Sequence, residues 1–405
     1  MPINQKVTAC DVVIIGAGIV GIAIARTLSE SHPNLRIVIL EKEALPGLHA
    51  SGRNSGVLHA GFYYSPDSLK AQFCREGNLE MRKLAAKHKV SIKSVGKVVV
   101  AQNSEEIERL HLLYERGLSN NVELQILDED KLSQFEPLAR THKSFLWSPT
   151  TAIADKTGIL FALLNEIKER NVQFLYNQKF ISIEDDELKT QDYKIKYKHL
   201  VNASGSGAVS IAHKMGFGIN YKMIPFLGVY RATTLNKLPL RRLVYPVPHP
   251  EVPFLGTHFT ITSDNLVKIG PTAQPILFSE QYKFIEGWNF NELITNPLTM
   301  LSYFANNISG ASKLIRSEVP QLIESELVKK SAKLVPSVSG VKTWEKKPSG
   351  IRAQLLRVDT KALEQDFVVQ GDSKSTHLLN IVSPGWTSSI PFAKWIVEKY
   401  IIQHL

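Results

Sequence analysis

The chain has 405 residues, of which 43% are hydrophobic and 21% are charged, and its formal net charge is +10. This length and composition predict a globular protein of two domains, and the charge favours an anionic substrate or an anionic membrane surface, although a plain solvated surface fits as well. No nucleic-acid-binding motif accompanies the charge, and the two cysteines, Cys10 and Cys74, lack metal-site spacing, so we expect neither a nucleic-acid partner nor a metal.

A glycine-rich turn near the start of the chain predicts a dinucleotide-binding site. The apolar run Val12–Ile15, typical of a buried parallel strand, leads into a G-x-G-x-x-G pattern formed by Gly16, Gly18 and Gly21. The first glycine permits a tight turn, the second lets a pyrophosphate approach the backbone, and the third lets the next helix pack closely on the strand. Free N–H groups at the start of that helix then bind the phosphates.

A second apolar run, Ile37–Leu40, ends in Glu41-Lys42, about 20 residues beyond the last glycine, where a carboxylate accepts hydrogen bonds from a ribose hydroxyl. Strand, helix, second strand and acid in register favour a dinucleotide site over a ligand-free turn, with FAD and NAD both open at this point. The cofactor-binding residues predicted here are Gly16, Gly18, Ile19, Val20, Gly21, Glu41 and Lys42.

The position of this first strand also bears on location. It begins almost at the start of the chain, which leaves no room for a signal or transit peptide. No apolar run reaches the roughly 20 residues that a transmembrane helix needs. We therefore expect a cytoplasmic protein whose only membrane contact would be peripheral, at the inner membrane.

The next segment, residues 48–64, is a polar loop that favours a flavin. It combines glycine, serine and asparagine with histidines and tyrosines. Small residues let the backbone lie against a flat ring, while the polar side chains reach a substrate. A nicotinamide-binding domain would have a third strand and a plain helix here. The cofactor contacts predicted from this loop are Ser51, Asn54, Ser55 and Gly56.

Further along, apolar spacing predicts helices over residues 68–89 and 157–170. The run Leu200–Asn202 is a strand candidate that ends in small residues and opens a helix over 208–215. It predicts a second nucleotide-contacting turn, with Ala203 and Gly205 as cofactor-binding residues.

The following region changes character. Residues 221–275 are rich in strand patterns, and residues 278–334 are helical with breaks at Asn296-Pro297 and Gly310. Such an insertion between two segments of a nucleotide-binding domain predicts a substrate domain.

A last strand-to-helix turn, residues 383–389, precedes a helix predicted over residues 392–404. Its N–H groups and hydroxyls suit a polar ring edge or a phosphate, which is compatible with a simple N-cap by Thr387 or Ser388. The cofactor contacts predicted here are Gly385, Thr387, Ser388 and Ser389.

With these motifs the chain resembles, over nearly its whole length, the D-amino-acid-oxidase-like group of FAD-dependent oxidoreductases, and within it the L-2-hydroxyglutarate dehydrogenases (oxidases). The chain departs from the family pattern at His49-Ala-Ser-Gly-Arg53, at Ser204 and at Gly385-Trp386. The segments that carry the resemblance are Gly16–Gly21 with Glu41-Lys42, residues 54–61 with Tyr63-Tyr64, residues 68–71 with Cys74, residues 254–260, 269–271 and 349–354, and Ser383-Pro384 with residues 387–389.

The resemblance implies an α/β fold with FAD as cofactor. We expect a discontinuous Rossmann-like FAD-binding domain, residues 1–92, 150–222 and 336–405. We expect the inserted α+β substrate domain, residues 93–149 and 223–335, to be built on a largely antiparallel sheet.

The implied reaction is oxidation of a small 2-hydroxy acid, most simply L-2-hydroxyglutarate to 2-oxoglutarate. A base takes the hydroxyl proton while the Cα hydride passes to flavin N5, and oxygen or quinone accepts the electrons. A base near neutral pH is most easily a histidine, which makes His59 and His258 the candidates; hydrogen-bonded packing is the alternative for each.

A substrate carboxylate is bound best by a bidentate arginine. The resemblance places Arg352 at this carboxylate, as a catalytic and substrate-binding residue. Arg53 and Arg231 are candidates for a second carboxylate, with a surface salt bridge as the alternative. Tyr63 or Tyr64 would add a phenolic hydrogen bond, with core packing as the alternative.

Two questions stay open at this point. Residues 329–347 mix lysines with apolar residues and a tryptophan, which suits either an anionic membrane interface or a solvated helix end and loop. The alternative functions are an amine or amino-acid oxidase of the same fold, a nicotinamide dehydrogenase and a non-catalytic flavin-binding protein.

Overall fold

The computed structural model describes residues 6–184, 186–249, 254–283, 287–288, 290–306 and 310–405. Its strands are β1 (Lys6–Ala9), β2 (Val12–Ile15), β3 (Ile37–Leu40), β4 (Val57–Leu58), β5 (Ile92–Lys93), β6 (Lys97–Val100), β7 (Gln125–Asp128), β8 (Ser144–Ser148), β9 (Ala152–Ala154), β10 (Val172–Leu175), β11 (Ser182–Glu184), β12 (Glu187–Lys189), β13 (Tyr193–Lys196), β14 (His199–Asn202), β15 (Tyr221–Thr234), β16 (Leu243–Pro246), β17 (His258–Ile261), β18 (Leu266–Gly270), β19 (Gln274–Pro275), β20 (Glu345–Arg357), β21 (Val369–Gly371) and β22 (Ser375–Leu378). Its helices are α1 (Ile19–Ser31), α2 (Ala50–Arg53), α3 (Leu69–Lys87), α4 (Ser104–Ser119), α5 (Leu132–Phe135), α6 (Lys156–Ile167), α7 (Ala208–His213), α8 (Phe290–Asn306), α9 (Ala311–Glu318), α10 (Glu324–Ser331) and α11 (Gly385–Ile396).

The first layered unit is a six-stranded sheet in the order β10-β3-β2-β14-β22-β21, parallel except for β21. Strands β2 and β3 are buried along their whole length because both faces of the sheet are covered. Val12 and Ile14 pack in the core that includes helices α1, α6 and α11. Val13 and Ile15, which alternate with them, pack against the small sheet β1-β13-β12-β11.

The second unit is a largely antiparallel sheet in the order β19-β15-β18-β17-β16-β6-β8-β7, with β20 paired along β15. The neighbours β16 and β6 are parallel. The expected α/β architecture with a second, mostly antiparallel sheet is therefore confirmed. Residues 345–357 join this large sheet, although the sequence placed them in the FAD-binding domain; the other domain limits stay a prediction.

Two predicted helix limits are wrong, and a proline lies at each. Helix α8 runs through Pro297 without the predicted break; there the tertiary packing of buried side chains such as Tyr303 outweighs the local penalty of proline. Helix α11 starts at Gly385 and runs through Pro391, so Thr387 and Ser388 lie in its first turn and Pro384 is the N-cap.

No helix in the described part of the chain is both long enough and apolar enough to cross a membrane.

Candidate active site

Two strand-to-helix turns meet at the glycine pattern. Gly16 has φ +107°, and a Cβ there would lie 2.6 Å from the carbonyl oxygen of Ala203. A Cβ on Gly21 would lie 2.1 Å from the carbonyl oxygen of Gly16. The Ala203 N–H donates to Ile15 at 3.0 Å, and Gly205 beyond it has φ +59°. Close approach of two backbones therefore requires glycine at positions 16 and 21.

The start of α1 is held by an acid and a hydroxyl. Glu41 is buried, and its carboxylate accepts hydrogen bonds from the Ala17 N–H at 2.9 Å and the Glu43 N–H at 3.0 Å. The Ser51 hydroxyl accepts from the Ile19 N–H at 2.9 Å, which satisfies one of the free N–H groups of the helix. Val20, the next residue of α1, is half-buried. Lys42 forms an ion pair with Glu280.

The loop after α2 is shaped by its own side chains. Asn54 accepts a hydrogen bond from the Gly56 N–H at 2.8 Å and donates to the Ser51 carbonyl at 2.7 Å. Gly56 has φ +76°, and a Cβ there would lie 2.7 Å from the Ala154 carbonyl oxygen. Ser55 is half-buried between them. This loop therefore has one defined course past the start of α1.

The first turn of α11 presents unpaired hydroxyls. Ser388 and Ser389 are fully buried, and their hydroxyl oxygens have no hydrogen-bond partner among the described residues. A buried polar group without a partner costs about 1–3 kcal/mol. The first N–H groups of a helix also favour a polar or negatively charged ligand. A ligand with a polar ring edge would satisfy both requirements at this turn.

These features fit FAD. The glycine turn and Glu41 suit its pyrophosphate and ribose, and the two orphaned hydroxyls of α11 suit the polar edge of its ring.

A group of polar side chains lies on one face of the large sheet. Leu243 pairs with Lys97, and Val244 pairs with Phe259. Because successive side chains of a strand point to opposite faces, Lys97, Tyr245 and His258 lie on the face opposite Phe259. The His258 ring stacks on the Tyr245 ring with 3.8 Å between centroids.

His258 is held as a neutral imidazole. Its Nδ1–H donates to the Gly256 carbonyl at 2.8 Å, which leaves the lone pair on Nε2. Burial lowers its pKa to about 3. The sequence predicted a histidine poised near neutral pH; the structure differs, because desolvation favours the uncharged form.

His59 follows β4 and faces the same group. Its Nδ1 is buried and has no partner among the described residues. Burial first, and then the charges of Lys97, His258 and Arg352, lower its pKa well below the ordinary value. His59 is therefore also neutral at physiological pH, and it lies within electrostatic reach of two buried cations.

Arg352, on β20, is one of those cations. Its Nε donates to Gln354 at 3.2 Å, and its guanidinium lies 4.8 Å from the Phe254 ring centroid. Burial lowers its pKa to about 10, so it stays charged. No carboxylate of the described residues forms an ion pair with it, and a buried guanidinium without a counter-charge favours an anionic ligand.

The Arg352 charge acts on two tyrosines, Tyr64 and Tyr230, and a third, Tyr63, lies beside Lys97. Burial raises the pKa of Tyr64 well above its ordinary value and that of Tyr230 to about 12, while the Arg352 charge opposes both rises. The Tyr63 hydroxyl is buried without a partner among the described residues. The phenols therefore stay protonated and can donate hydrogen bonds.

Two predicted arginines do not join this group. Arg231 pairs with Ile269, which pairs with Phe259, so it lies on the opposite face of the sheet, where its Nε donates to Glu324 at 2.6 Å. Arg53 donates to the Leu48 carbonyl at 2.9 Å and stacks over the Tyr282 ring.

Sequence reasoning missed three residues of the group: Tyr230, Tyr245 and Lys97. Tyr230 is the neighbour of the predicted Arg231, and only the strand register decides which of the two faces the site. Lys97 stands at the edge of the apolar run Val98–Val100. A charged residue beginning a buried strand was the pattern that could have identified it.

Residues 329–347, for which a membrane interface and a solvated helix end and loop were both open, pack partly against the large sheet. Val335 and Val338 are fully buried in the core of the large sheet, and Trp344 is half-buried against it. Val335 and Val338 therefore face inward, whereas Val341 and Trp344 stay partly exposed beside Lys329 and Lys342.

The glycine turn with Glu41 suits a dinucleotide, and the group on the large sheet combines buried cations with neutral imidazoles. Together these features indicate a dinucleotide-dependent redox enzyme. The family described as FAD dependent oxidoreductase matches residues 11–399. The chain belongs to this family, and its cofactor is FAD.

Curated relatives cover nearly the whole chain. The chain is 31% identical to an L-2-hydroxyglutarate dehydrogenase of Escherichia coli (strain K12), over 96% of this chain and 92% of that protein. It is 32% identical to the mitochondrial L-2-hydroxyglutarate dehydrogenase of Bos taurus, over 98% and 89%.

Solved structures share the fold. An L-alpha-glycerophosphate oxidase from Mycoplasma pneumoniae with FAD bound has a TM-score of 0.74 at 21% identity, covering 96% of this chain and 94% of that one. A glycine oxidase from Geobacillus kaustophilus has a TM-score of 0.72 at 19% identity, covering 98% and 95%.

Proposed function

We propose that this FAD-dependent oxidoreductase oxidises L-2-hydroxyglutarate to 2-oxoglutarate. The observation that carries the proposal is the neutral imidazole of His59 within electrostatic reach of the buried Arg352, which forms no ion pair with a carboxylate of the described residues. A 2-hydroxy acid needs a proton acceptor beside a carboxylate-binding cation. The names of the relatives at 31% and 32% identity support the particular acid.

In this proposal Arg352 binds the carboxylate next to the hydroxyl, and the protonated phenol of Tyr64 or Tyr230 donates a further hydrogen bond. His59 accepts the hydroxyl proton as the C=O bond forms. His258, with its lone pair on Nε2, orients the hydroxyl. Bound FAD supplies the acceptor for the hydride and its two electrons.

Substrate binding would strengthen the base. Burial is the largest cause of the low pKa of His59, and the Arg352 charge adds to it. A carboxylate on the guanidinium offsets that charge, so the pKa of His59 rises when the substrate is in place. Before the substrate binds, His59 therefore stays unprotonated and able to accept a proton.

The cofactor residues follow the same proposal. Gly16, Gly18 and the N–H groups of Val20 and Gly21, which follow the Ile19 N–H bound by Ser51, would hold the pyrophosphate, and Glu41 the adenosine ribose. Ser388 and Ser389 would hold the polar edge of the ring.

The test is anaerobic mixing of the FAD-loaded protein with candidate acids, monitored by loss of flavin absorbance. L-2-hydroxyglutarate should bleach the flavin, whereas L-glutamate and simple amines should not. Bleaching by the amino acid or amines alone would overturn the proposal in favour of the amine or amino-acid oxidase alternative.

We also infer peripheral contact with an anionic membrane, which would suit a quinone acceptor. Support comes from α8, where Phe290, Ile294, Leu298 and Leu301 are all exposed. Their spacing of four, four and three residues forms one stripe along the helix. An exposed apolar stripe on a protein of net charge +10 suits such a surface. Oxygen is the alternative acceptor, and turnover with a soluble quinone under anaerobic conditions separates the two.

A further inference from the structure

Lys97 is a buried lysine to which the described residues offer no hydrogen-bond partner. The residue is 0% exposed, and its Nζ has no partner among the described residues. Aromatic rings surround the ammonium: the Tyr245 centroid is 4.0 Å away, that of Tyr63 5.0 Å and that of Phe62 5.4 Å. Ring faces attract a cation but do not replace the hydrogen bonds lost on burial.

Among the described residues, the groups around Lys97 provide no counter-charge. The titratable groups around it are Cys74 of α3, His59 and Tyr63 of the loop after β4, Tyr245 of β16 and His258 of β17. Burial raises the pKa of the Cys74 thiol, and the two imidazoles are neutral. None of these groups is an anion at pH 7. Burial therefore acts on Lys97 without a nearby anion to oppose it and lowers the pKa of its ammonium group to about 7.

Lys97 and Arg352 form a pair of cations about one imidazole. Lys97 lies on the sheet face that carries Tyr245 and His258, and Arg352 pairs with Phe226 of β15, the strand that carries Tyr230. After burial, both charges also lower the pKa of His59. They come from separate elements: β6 carries Lys97 and β20 carries Arg352. Two buried cations that both reach the proposed base match a substrate with two anionic groups, one near each cation.

We propose that Lys97 binds the second carboxylate of a 2-hydroxy dicarboxylic acid, while Arg352 binds the carboxylate beside the hydroxyl. This assignment rests on the proposed function and makes Lys97 the residue that selects a dicarboxylic over a monocarboxylic acid. The arginines expected for this role are engaged elsewhere, Arg231 with Glu324 and Arg53 with Tyr282.

The test compares two acids that differ only at the far end: L-2-hydroxyglutarate, and L-2-hydroxypentanoate, in which a methyl group replaces the second carboxylate. Lys97→Met keeps an unbranched side chain one atom shorter and removes the charge. It should raise KM for the dicarboxylate about 10- to 100-fold and change KM for the monocarboxylate by less than about threefold, because a charge-assisted hydrogen bond is lost for one acid only. The competing variant Arg231→Met should leave the ratio of the two KM values as in wild type.

The pH dependence of KM distinguishes carboxylate binding by Lys97 from a purely structural role of this residue. In wild type, KM for L-2-hydroxyglutarate should rise as pH increases above about 7, because Lys97 loses its proton. KM for L-2-hydroxypentanoate should not follow, and Lys97→Met should abolish the difference between the acids. Its FAD content and melting temperature confirm that the variant is folded.

The outcomes separate the two proposals. If wild type oxidises neither acid, the proposed function fails. Calorimetric titration of the FAD-loaded protein with glutarate and with pentanoate then still tests Lys97: tighter binding of glutarate, lost in Lys97→Met, supports the carboxylate site. The assignment is overturned if Lys97→Met weakens the binding of both acids equally. It is also overturned if the ratio of their KM values and the ratio of their Kd values stay as in wild type.

Discussion

The hydroxyl of Thr387 accepts a hydrogen bond from the backbone N–H of His59 at 3.3 Å. The same hydroxyl donates to the carbonyl of Val57 at 3.2 Å. One side chain of α11 thus holds the strand end that carries the proposed base. The helix whose orphaned serines suit the flavin and the loop that carries His59 are therefore positioned together.

Replacing Thr387 with valine should weaken the attachment of the His59 loop to α11. Valine has nearly the same shape but leaves the His59 N–H and the Val57 carbonyl unpaired, at about 1–3 kcal/mol of unfolding free energy. We expect this loss in chemical denaturation, together with a lower kcat. Thr387→Ser keeps the hydroxyl and should behave as wild type; equal loss in both variants would assign the effect to packing.

A substitution at Glu41 tests the proposed FAD site at the glycine turn. Glu41→Ala removes the acceptor of the Ala17 and Glu43 N–H groups and the proposed ribose contact. We expect FAD affinity, measured by titrating apoprotein with FAD, to fall about 10- to 100-fold, since hydrogen bonds to a charged group contribute about 1.5–3 kcal/mol. Excess FAD should restore kcat. Glu30→Ala, at an exposed acid of α1 that pairs with Arg26, is the control, and an equal effect there would contradict this role.

Arg352→Lys tests the carboxylate clamp. Lysine keeps the charge but cannot form the bidentate contact. KM should therefore rise about 10- to 100-fold for dicarboxylic and monocarboxylic 2-hydroxy acids alike, in contrast to the selective effect expected of Lys97. Arg357→Lys, at an exposed arginine of the same strand that pairs with Asp359, is the matched control. An unchanged KM in Arg352→Lys would remove this residue from the substrate site.

The parts of the site that sequence reasoning located are those with local causes. The glycine turn, Glu41 and the polar segment 383–389 depend on short stretches whose backbone requirements are visible in the residues themselves. The group of polar side chains on the large sheet depends on pairing between strands far apart in the chain. Sequence reasoning therefore did not find Lys97, Tyr230 and Tyr245. Arg231 was proposed in place of its neighbour Tyr230 because sequence does not reveal which face of β15 meets the site. At Pro297 and Pro391 the sequence predicted a helix break and a helix start, but both helices run through the proline.

Buried neutral histidines should make the fold sensitive to acid. Burial lowers the pKa of His258 to about 3, and those of His199 and His377 to about 4, against an ordinary value of about 6.5 in the unfolded chain. Between these values the unfolded state binds more protons, so stability is complete above pH 6.5 and falls as pH decreases. The slope is at most about 1.4 kcal/mol per pH unit for each histidine.

Denaturant titrations at pH 7, 6 and 5 measure this slope. His377→Gln should reduce it, and His32→Gln, at an exposed position, should not. A free energy of unfolding that stays constant from pH 7 to pH 5 would contradict the argument.

The exposed stripe of α8 makes the membrane proposal testable. Ile294→Glu with Leu298→Glu places two acids in the stripe without touching a buried side chain. Sedimentation with phosphatidylglycerol vesicles should show wild type bound and the double variant reduced at least about tenfold, because apolar burial is lost and the acids are repelled by the anionic surface. Phe161→Glu alters an exposed aromatic residue of α6 and should bind like wild type. Anaerobic quinone reduction at vesicles should fall with binding in the double variant, whereas bleaching by L-2-hydroxyglutarate should not. Equal sedimentation of all three proteins would remove α8 as the contact surface.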